Sequence, residues 1–157
     1  MKKVLLFLLV MLSLSAFAAE GDGVKFFEGS FRQALAKAKK EKKLIMFDAY
    51  TSWCGPCKEE MPYLRSFYEK AKGKVSLIGV DVEEATFDDG RLFVERNGIV
   101  WPNLYDPDGR SRKYFGLGVP VTWFIAADGS VAGKKIGVLK NEMELITLTD
   151  KYLGVKL

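Results

Sequence analysis

The stretch TSWCGPCKEEMPYL, residues 51–64, contains the only two cysteines in the chain, Cys54 and Cys57, separated by Gly55 and Pro56. The apolar, aromatic run before it is typical of a buried strand, and the residues after it are typical of a helix. Cys54 is therefore expected at a helix N-terminus, where unpaired N–H groups and the helix dipole favour a thiolate. Cys57 follows three residues later on the same side of the helix, so the pair can form and break a disulfide without a change of fold.

Two other interpretations of the cysteine pair are weaker. An inert structural bridge would close a very short loop, which removes little entropy from the unfolded chain and stabilises weakly. A metal site would need further ligands, but the chain has no histidine and no third cysteine, so the usual structural zinc sets are excluded. The lack of histidine also excludes hydrolases that use a histidine base. We therefore interpret the pair as a redox-active dithiol and expect no metal or cofactor.

The N-terminal residues predict export. Two lysines precede the apolar run VLLFLLVMLSLS at residues 4–15, and AFA at residues 16–18 offers the small residues that a signal peptidase accepts. We therefore predict a signal peptide over residues 1–18, cleaved after Ala18. An uncleaved membrane anchor is the alternative, but the run is shorter than the ~18 residues needed to span a bilayer. A lipoprotein anchor would need a cysteine at the cleavage point, and the first cysteine is Cys54.

The remaining chain, residues 19–157, has the size of a single domain with its own core. Loss of Lys2 and Lys3 with the signal peptide changes 24 basic and 20 acidic side chains to 22 and 20, so the net charge falls from +4 to +2. This small charge indicates no strong electrostatic partner, and no nucleic-acid partner is expected. A single cysteine pair also separates the chain from small secreted scaffolds that depend on several disulfides.

Helix and strand patterns alternate along the chain. The predicted elements are a helix from residue 30, a strand at 44–50, a helix that follows the cysteines and ends near Gly73, a strand at 74–82, a helix around 90–98, a short strand at 103–105, a brief helix or turn at 111–118, strands at 121–126 and 131–137, and a final helix at 141–154. Asp128 and Gly129 give the strongest hairpin signal, between the last two strands. Alternating units followed by a hairpin predict an α/β fold with a mixed sheet.

Two of the predicted helices have apolar faces that the core should cover. The helix after the cysteines is expected to bury Met61, Leu64, Phe67 and Tyr68. The final helix is expected to bury Met143, Leu145, Ile146, Leu148 and Leu153.

Several motifs together resemble a known family. WCGPCK resembles the active site of thioredoxin, and GVP at 118–120 followed by TWFIAADG resembles its proline segment and hairpin. WCGPCKEEMPYL, together with residues 98–131, is similar to the TlpA/ResA-type branch of secreted bacterial thiol-disulfide oxidoreductases, over about residues 30–154. The resemblance implies a thioredoxin fold, with a central mixed β-sheet flanked by helices and an extra αβ insertion. Residues 31–50 are more similar to other periplasmic thioredoxin-like domains, including the C-terminal domain of the DsbD electron transporter.

The resemblance assigns chemical roles to four side chains. It implies that Cys54 is the attacking thiol and that Cys57 is the buried resolving thiol, with a disulfide between them in the oxidised form. Asp48 matches the buried acid of thioredoxin that helps to deprotonate the resolving thiol, although a strand-end acid that reaches solvent is the alternative. Glu84 matches an active-site glutamate of the TlpA/ResA group. The simpler alternative is that Glu84 lies in a solvated turn after the strand. Leu77 stands where thioredoxin has a lysine, which puts the proton relay of Asp48 in question.

The resemblance also implies a substrate-binding surface. Pro120 matches the proline that is cis in this fold and faces the dithiol, although an ordinary trans proline at a strand start is the alternative. The backbone of Val119 is then placed to pair with an extended substrate. Trp53 is expected to form an apolar rim for docking, beside Gly55 and Pro56.

The resemblance further implies a periplasmic enzyme that acts on protein disulfides or thiols, with a membrane electron donor of the DsbD or CcdA kind. The Gly-Pro spacer is that of thioredoxin, whose potential of about −270 mV is far more reducing than the about −120 mV of DsbA, so a reductant is expected. The haem-binding cysteines of apocytochrome c are a candidate substrate, and the protein is expected to be a monomer. The alternatives are a dithiol oxidase of the same fold and a non-enzymatic module that carries copper or binds a partner.

Overall fold

The computed structural model describes residues 31–116 and 118–157. Within them, five helices and five strands are separated by short connections. In chain order they are α1 (Phe31–Glu41), β1 (Ile45–Tyr50), α2 (Gly55–Ala71), β2 (Ser76–Val82), α3 (Phe87–Arg96), β3 (Asn103–Asp106), α4 (Arg112–Phe115), β4 (Val121–Ile125), β5 (Val131–Ile136) and α5 (Glu142–Leu153), with α4 only four residues long.

The five strands form one mixed sheet in the order β3-β2-β1-β4-β5. Strand β1 pairs in parallel with β2, and β2 pairs in parallel with β3, whereas β4 is antiparallel to both β1 and β5. This mixed sheet, with helices packed on it, confirms the predicted fold class. Helix α3 and strand β3 lie between β2 and the β4–β5 hairpin in the chain, at the position of the predicted αβ insertion, and β3 forms one edge of the sheet.

Strand β1 is buried along its whole length, because helices cover both faces of the sheet at its centre. Alternate side chains point to opposite faces. Met46 and Tyr50 belong to a core cluster with residues of α2 and α5, and Asp48 shares their face. Ile45 and Phe47 belong to a second cluster with residues of α1. The face that carries Asp48 is therefore the face on which the cysteine helix packs.

Helix α2 begins directly after Cys54, which is its N-cap residue. Its apolar face confirms most of the predicted core, because Met61, Leu64 and Phe67 are all buried. Tyr68 is only partly buried and packs against the ring of Trp101, with 5.7 Å between the ring centroids. The helix ends at Ala71, two residues before the predicted stop.

Helix α5 corrects one predicted core residue. Leu145 is fully buried, and Ile146, Leu148 and Leu153 pack partly buried against the same cluster. Met143 was expected in the core, but 65% of its surface is exposed. Because successive helix residues are about 100° apart, Met143 lies about 200° from Leu145 and cannot share its face.

The predicted signal peptide at residues 1–18 lies outside the described residues, and so does the first part of the predicted domain over residues 19–157. In the part of the chain that the structure describes, every helix is too short or too polar to cross a lipid bilayer.

Candidate active site

The two cysteines form a disulfide at the start of α2. Cys54 precedes the helix with an extended backbone, and its Sγ accepts a hydrogen bond of 3.1 Å from the backbone N–H of Cys57. Pro56 occupies the first turn, where a missing N–H leaves no acceptor unpaired. Cys54 retains slight exposure and Cys57 has none. An incoming thiol or disulfide therefore meets Cys54 first.

The loop before β4 lies against the disulfide. The Val119–Pro120 peptide bond is cis, as predicted from the resemblance. Gly116 and Gly118 precede it with φ angles of 90° and 102°, which L-residues with side chains rarely adopt, so the two glycines let the chain turn into Pro120. The carbonyl of Pro120 accepts a hydrogen bond from Gly137 N–H, which joins this loop to the end of β5.

A cleft of about 330 Å³ opens beside the disulfide, and it brings together most of the predicted substrate-binding residues. Trp53, Gly55, Pro56 and Val119 all line it, next to Cys54. Trp53 is 66% exposed, which agrees with the expected apolar rim. Pro120 is buried and does not line the cleft. The cleft is thus an open, largely apolar groove, and a substrate that lies in it can reach the sulfur of Cys54.

An ion pair that the sequence did not suggest also belongs to this cleft. Arg112 and Glu83 both line it, and Arg112 Nη1 donates to Glu83 Oε1 at 2.6 Å. Glu83 has a φ of 57°, so the backbone leaves the direction of β2 at this residue. Of the two consecutive acids after β2, Glu83 therefore faces the cleft, whereas Glu84 was the one predicted for the site.

Glu84 is buried and holds the loop that precedes Cys54. Its carboxylate accepts hydrogen bonds from both the backbone N–H and the hydroxyl of Ser52, the hydroxyl bond being 2.7 Å long. Because Ser52 is two residues before Cys54, this contact fixes the approach of the loop to the active-site helix. The interpretation of Glu84 as part of a solvated turn is therefore wrong, since the side chain is buried.

Asp81 lies beside Glu84 in the interior and was not singled out from the sequence. Burial, and then the charge of Glu84, raises the pKa of Asp81 to about 8. Neither carboxyl oxygen has a hydrogen-bond partner among the described residues. A Cβ atom at Gly90 would lie 1.9 Å from Asp81 Oδ2, so the α3 backbone leaves room for this carboxyl only because residue 90 is glycine.

Asp48 is buried at the centre of β1, so the alternative of a strand-end acid that reaches solvent is wrong. Its Oδ1 accepts a hydrogen bond of 3.1 Å from the hydroxyl of Thr122 on β4. Burial raises the pKa of Asp48 to about 7, and the hydrogen bond from Thr122 opposes this shift. Leu77, which stands at the position of the thioredoxin lysine, is buried as well.

Glu60 is a second buried acid on this side of the sheet, and the sequence analysis missed it. It follows Cys57 by three residues on α2, and its Oε2 accepts a hydrogen bond of 2.8 Å from Leu139 N–H. Burial, and then the charge of Asp48, raises the pKa of Glu60 well above the ordinary range. The available signal was its spacing, because residues 57, 60, 61 and 64 lie on one helix face that is otherwise apolar.

Together, the site combines one reachable sulfur, one buried sulfur and two buried acids, of which Asp48, with a pKa of about 7, is partly ionised near neutral pH. Such a set can exchange a dithiol for a disulfide and accept the proton that a thiol loses. The charged groups on the far side of Glu60 are Lys135 and Glu144, whose opposite effects on its pKa are smaller than that of burial.

Comparison with known proteins agrees with this geometry. The chain is 30% identical to the thiol-disulfide oxidoreductase ResA of Oceanobacillus iheyensis, over 58% of this chain and 48% of that protein. It is 28% identical to the thiol:disulfide interchange protein CycY of Rhizobium leguminosarum bv. viciae, over 77% of this chain and 66% of that protein. The matches thus span about half to two thirds of the length of these curated relatives.

A solved structure and a family model extend the comparison. The crystal structure of a DsbF homologue from Corynebacterium diphtheriae superposes with a TM-score of 0.65, at 27% identity, over 74% of each chain. The model of the Redoxin family matches residues 30–150. The chain therefore belongs to the Redoxin family, within the TlpA/ResA-type branch of the thioredoxin superfamily.

Proposed function

We propose that this protein is a thiol-disulfide oxidoreductase that reduces disulfides in exported proteins. The observation that carries the proposal is the Cys54–Cys57 disulfide at the start of a helix, with Cys54 beside an open cleft and Cys57 sealed beneath it. A helix start favours the thiolate of Cys54 once the disulfide is reduced. The likeness to proteins named as thiol-disulfide oxidoreductases supports the same activity.

The reaction has two exchange steps. In the first, the Cys54 thiolate attacks one sulfur of a target disulfide, a mixed disulfide forms, and the other target sulfur leaves as a thiolate that takes a proton from water. In the second, the Cys57 thiol loses its proton and attacks Cys54 Sγ, so the enzyme disulfide closes and the second target thiolate leaves. Two electrons pass from the dithiol to the target disulfide.

The buried acids supply the proton acceptor for the second step. Cys57 is fully buried, so its proton cannot pass directly to water. Asp48 and Glu60 lie on the face of the sheet and of the helix that surround it, and their raised pKa values keep them within reach of exchange near neutrality. Glu84 acts as a positioning residue through Ser52, rather than as the group that takes the proton.

The cleft binds the substrate backbone and its neighbouring side chains. An extended target segment pairs with the backbone of Val119, in front of Pro120, while Trp53 covers its apolar side chains. Gly55 and Pro56 form the floor next to Cys54. The Glu83–Arg112 pair adds charges of both signs at the cleft, which suits a polypeptide substrate better than an ion or a small apolar molecule.

Location and electron supply complete the proposal. A cleaved signal peptide at residues 1–18 would deliver a single domain over residues 19–157 to the periplasm. A reductant in an oxidising compartment needs a membrane electron donor, of the DsbD or CcdA kind. Apocytochrome c, whose haem-binding cysteines form a disulfide, is the substrate that we propose, and the enzyme acts as a monomer.

The test is covalent capture. A Cys57→Ser variant cannot complete the second step, so it should accumulate a mixed disulfide with its target that survives non-reducing electrophoresis and dissolves with a thiol. Cys54→Ser is the matched control and should capture nothing. Insulin reduction by the wild type and a reduction potential below about −150 mV would support a reductant, whereas a higher potential would make the protein an oxidase. Capture of equal amounts by both variants, or none by either, would contradict the mechanism.

A further inference from the structure

Three residues form a row across the sheet, on the face that carries the active-site helix. In the strand register, Asp48 of β1 pairs with Thr122 of β4, and Thr122 pairs with Lys135 of β5. Paired residues share a face of a sheet, so all three side chains lie on the side of α2 and α5. The row runs from the buried centre of the sheet to its edge at β5.

Lys135 lies at the outer end of this row and forms an ion pair with α5. Its Nζ is 3.3 Å from Glu144 Oε1, and each side chain is about one quarter exposed. Glu144 is held in turn by the N–H of Lys140, which donates to its Oε2 at 2.7 Å. The pair therefore lies between water on one side and the buried acids on the other.

Glu60 connects the pair to the interior. Its Oε2 accepts from the N–H of Leu139, the amide next to the Lys140 N–H that holds Glu144, and Lys135, Glu144 and Asp48 all act on its pKa. Its Oε1 atom is buried and has no hydrogen-bond partner among the described residues, and the same holds for Asp48 Oδ2. The other titratable groups on this face include Tyr50 of β1 and Asp81 of β2, which lie toward β2 and α3, and Tyr68 of α2. Tyr152 of α5 also lies on this face, with its ring packed on Phe124 of β4 and over Gly133 of β5.

We propose that Lys135, held in place by Glu144, is a positioning residue that makes the carboxylate of the buried acid Glu60 available to accept the proton of Cys57. The proposal rests on the function proposed above. When Cys57 attacks Cys54, its thiol proton passes to a carboxylate of Asp48 or Glu60. The ammonium group of Lys135 favours the ionised form of Glu60, so more of this carboxyl is free to take the proton, and the ion pair with Glu144 holds Lys135 in position.

The position of Lys135 on β5 explains how the site can have a leucine at residue 77, where thioredoxin has a lysine. Leu77 lies on β2, on the same face of the sheet, and leaves that side of Asp48 apolar. A cationic group near Glu60 comes instead from β5, on the opposite side of β1. Lys135 thus supplies a charge to Glu60 from a strand that the sequence comparison with thioredoxin does not point to.

Lys134 provides a matched control. It is the neighbouring lysine on the same strand, but it pairs in register with Trp123 and so faces the other side of the sheet, where it is exposed. Replacing Lys134 or Lys135 by methionine removes the same charge from the protein and keeps a similar chain length. Only the second change removes it from the face of the buried acids.

The experiment isolates the second exchange step. Cys54 is loaded with 5-thio-2-nitrobenzoate as a mixed disulfide, and the attack of Cys57 releases the coloured thiolate in a stopped-flow cell over a range of pH. In Lys135→Met the inflection of the rate profile should move up by about one pH unit, because the Glu60 carboxylate loses a stabilising charge, so the rate below the inflection falls about tenfold. Lys134→Met should keep the wild-type profile.

Two further variants keep the test decisive if Lys135→Met folds poorly. Lys135→Arg retains the charge and should restore the wild-type inflection. Glu144→Gln removes the negative charge that raises the pKa of Glu60, so its inflection should move in the opposite direction, to lower pH. Profiles for Lys135→Met and Glu144→Gln that both stay within about 0.2 pH unit of the wild type, roughly the precision of the measurement, would overturn the role of Lys135. Failure of the wild type to release the thiolate at all would instead refute the proposed function.

Discussion

The buried carboxyl of Asp81 should make the stability of this protein depend strongly on pH, and Asp81→Asn should remove that dependence. The side chain is fully buried, without a hydrogen-bond partner among the described residues, and burial raises its pKa to about 8. In the unfolded chain an aspartate has a pKa of about 3.9. Asparagine has nearly the same shape and no charge at any pH.

The sign and size of the effect follow from proton linkage. Between pH 4 and pH 8 the folded protein keeps the Asp81 proton and the unfolded chain releases it, so the free energy of unfolding falls as the pH rises. Each pH unit within this window costs about 1.4 kcal/mol. Between pH 5 and pH 8 the free energy of unfolding of the wild type should therefore fall by about 3.5 kcal/mol more than that of Asp81→Asn. This figure allows for the partial ionisation of Asp81 in the folded protein near pH 8.

Urea unfolding of the oxidised protein at four pH values from 5 to 8 measures this difference. Asp48 and Glu60 contribute their own pH dependence, but they do so in both proteins, so the difference between the two slopes isolates Asp81. Asp108→Asn, in an exposed turn, is the matched control and should follow the wild type. Parallel stability curves for the wild type and Asp81→Asn would refute the reasoning, because the buried carboxyl would then carry no excess proton.

Two further substitutions test the packing around the insertion. Gly90→Ala should destabilise the protein by about 1–3 kcal/mol in urea unfolding, because the new Cβ would lie 1.9 Å from Asp81 Oδ2. Gly55→Ala is the control, because its Cβ would have nothing within 4 Å, and it should change stability by less than about 1 kcal/mol. Equal effects of the two substitutions would contradict the contact. Asn103→Ala should cost about 2–3 kcal/mol, because the Tyr50 hydroxyl donates to Asn103 Oδ1 at 2.8 Å and would be left buried and unpaired. In a Tyr50→Phe background that cost should shrink, and an unchanged cost would show that the hydrogen bond contributes nothing.

The fold was predictable because its signals are local. Strand β1 is an apolar run interrupted only by Asp48, and the β4–β5 hairpin is marked by Asp128 and Gly129, whose φ of 85° is the left-handed value that such a turn needs. Periodicity was less reliable at helix ends. It placed Met143 in the core because a methionine among leucines looks buried, whereas only the angular position around the helix decides which side faces the sheet.

The candidate site was predictable only where its residues are adjacent in the chain. The spacing of Cys54 and Cys57 predicted their role, and the cis bond at Pro120 was predicted from the resemblance to thioredoxin. The buried acids are different, because Glu60 and Asp81 look like ordinary surface acids in the sequence. Their burial follows from the way α2 and α3 pack on the sheet, which depends on contacts far apart in the chain.

The lack of histidine gives these acids their importance. Histidine is the only side chain whose unperturbed pKa lies near neutrality, so a chain without it must obtain a proton acceptor for neutral pH by shifting other groups. Burial does this for Asp48, Glu60 and Asp81, all on the face of the sheet that carries α2. Each costs stability as the pH rises. In the reaction proposed above, these three acids lie on the face of the sheet where Cys57 gives up its proton.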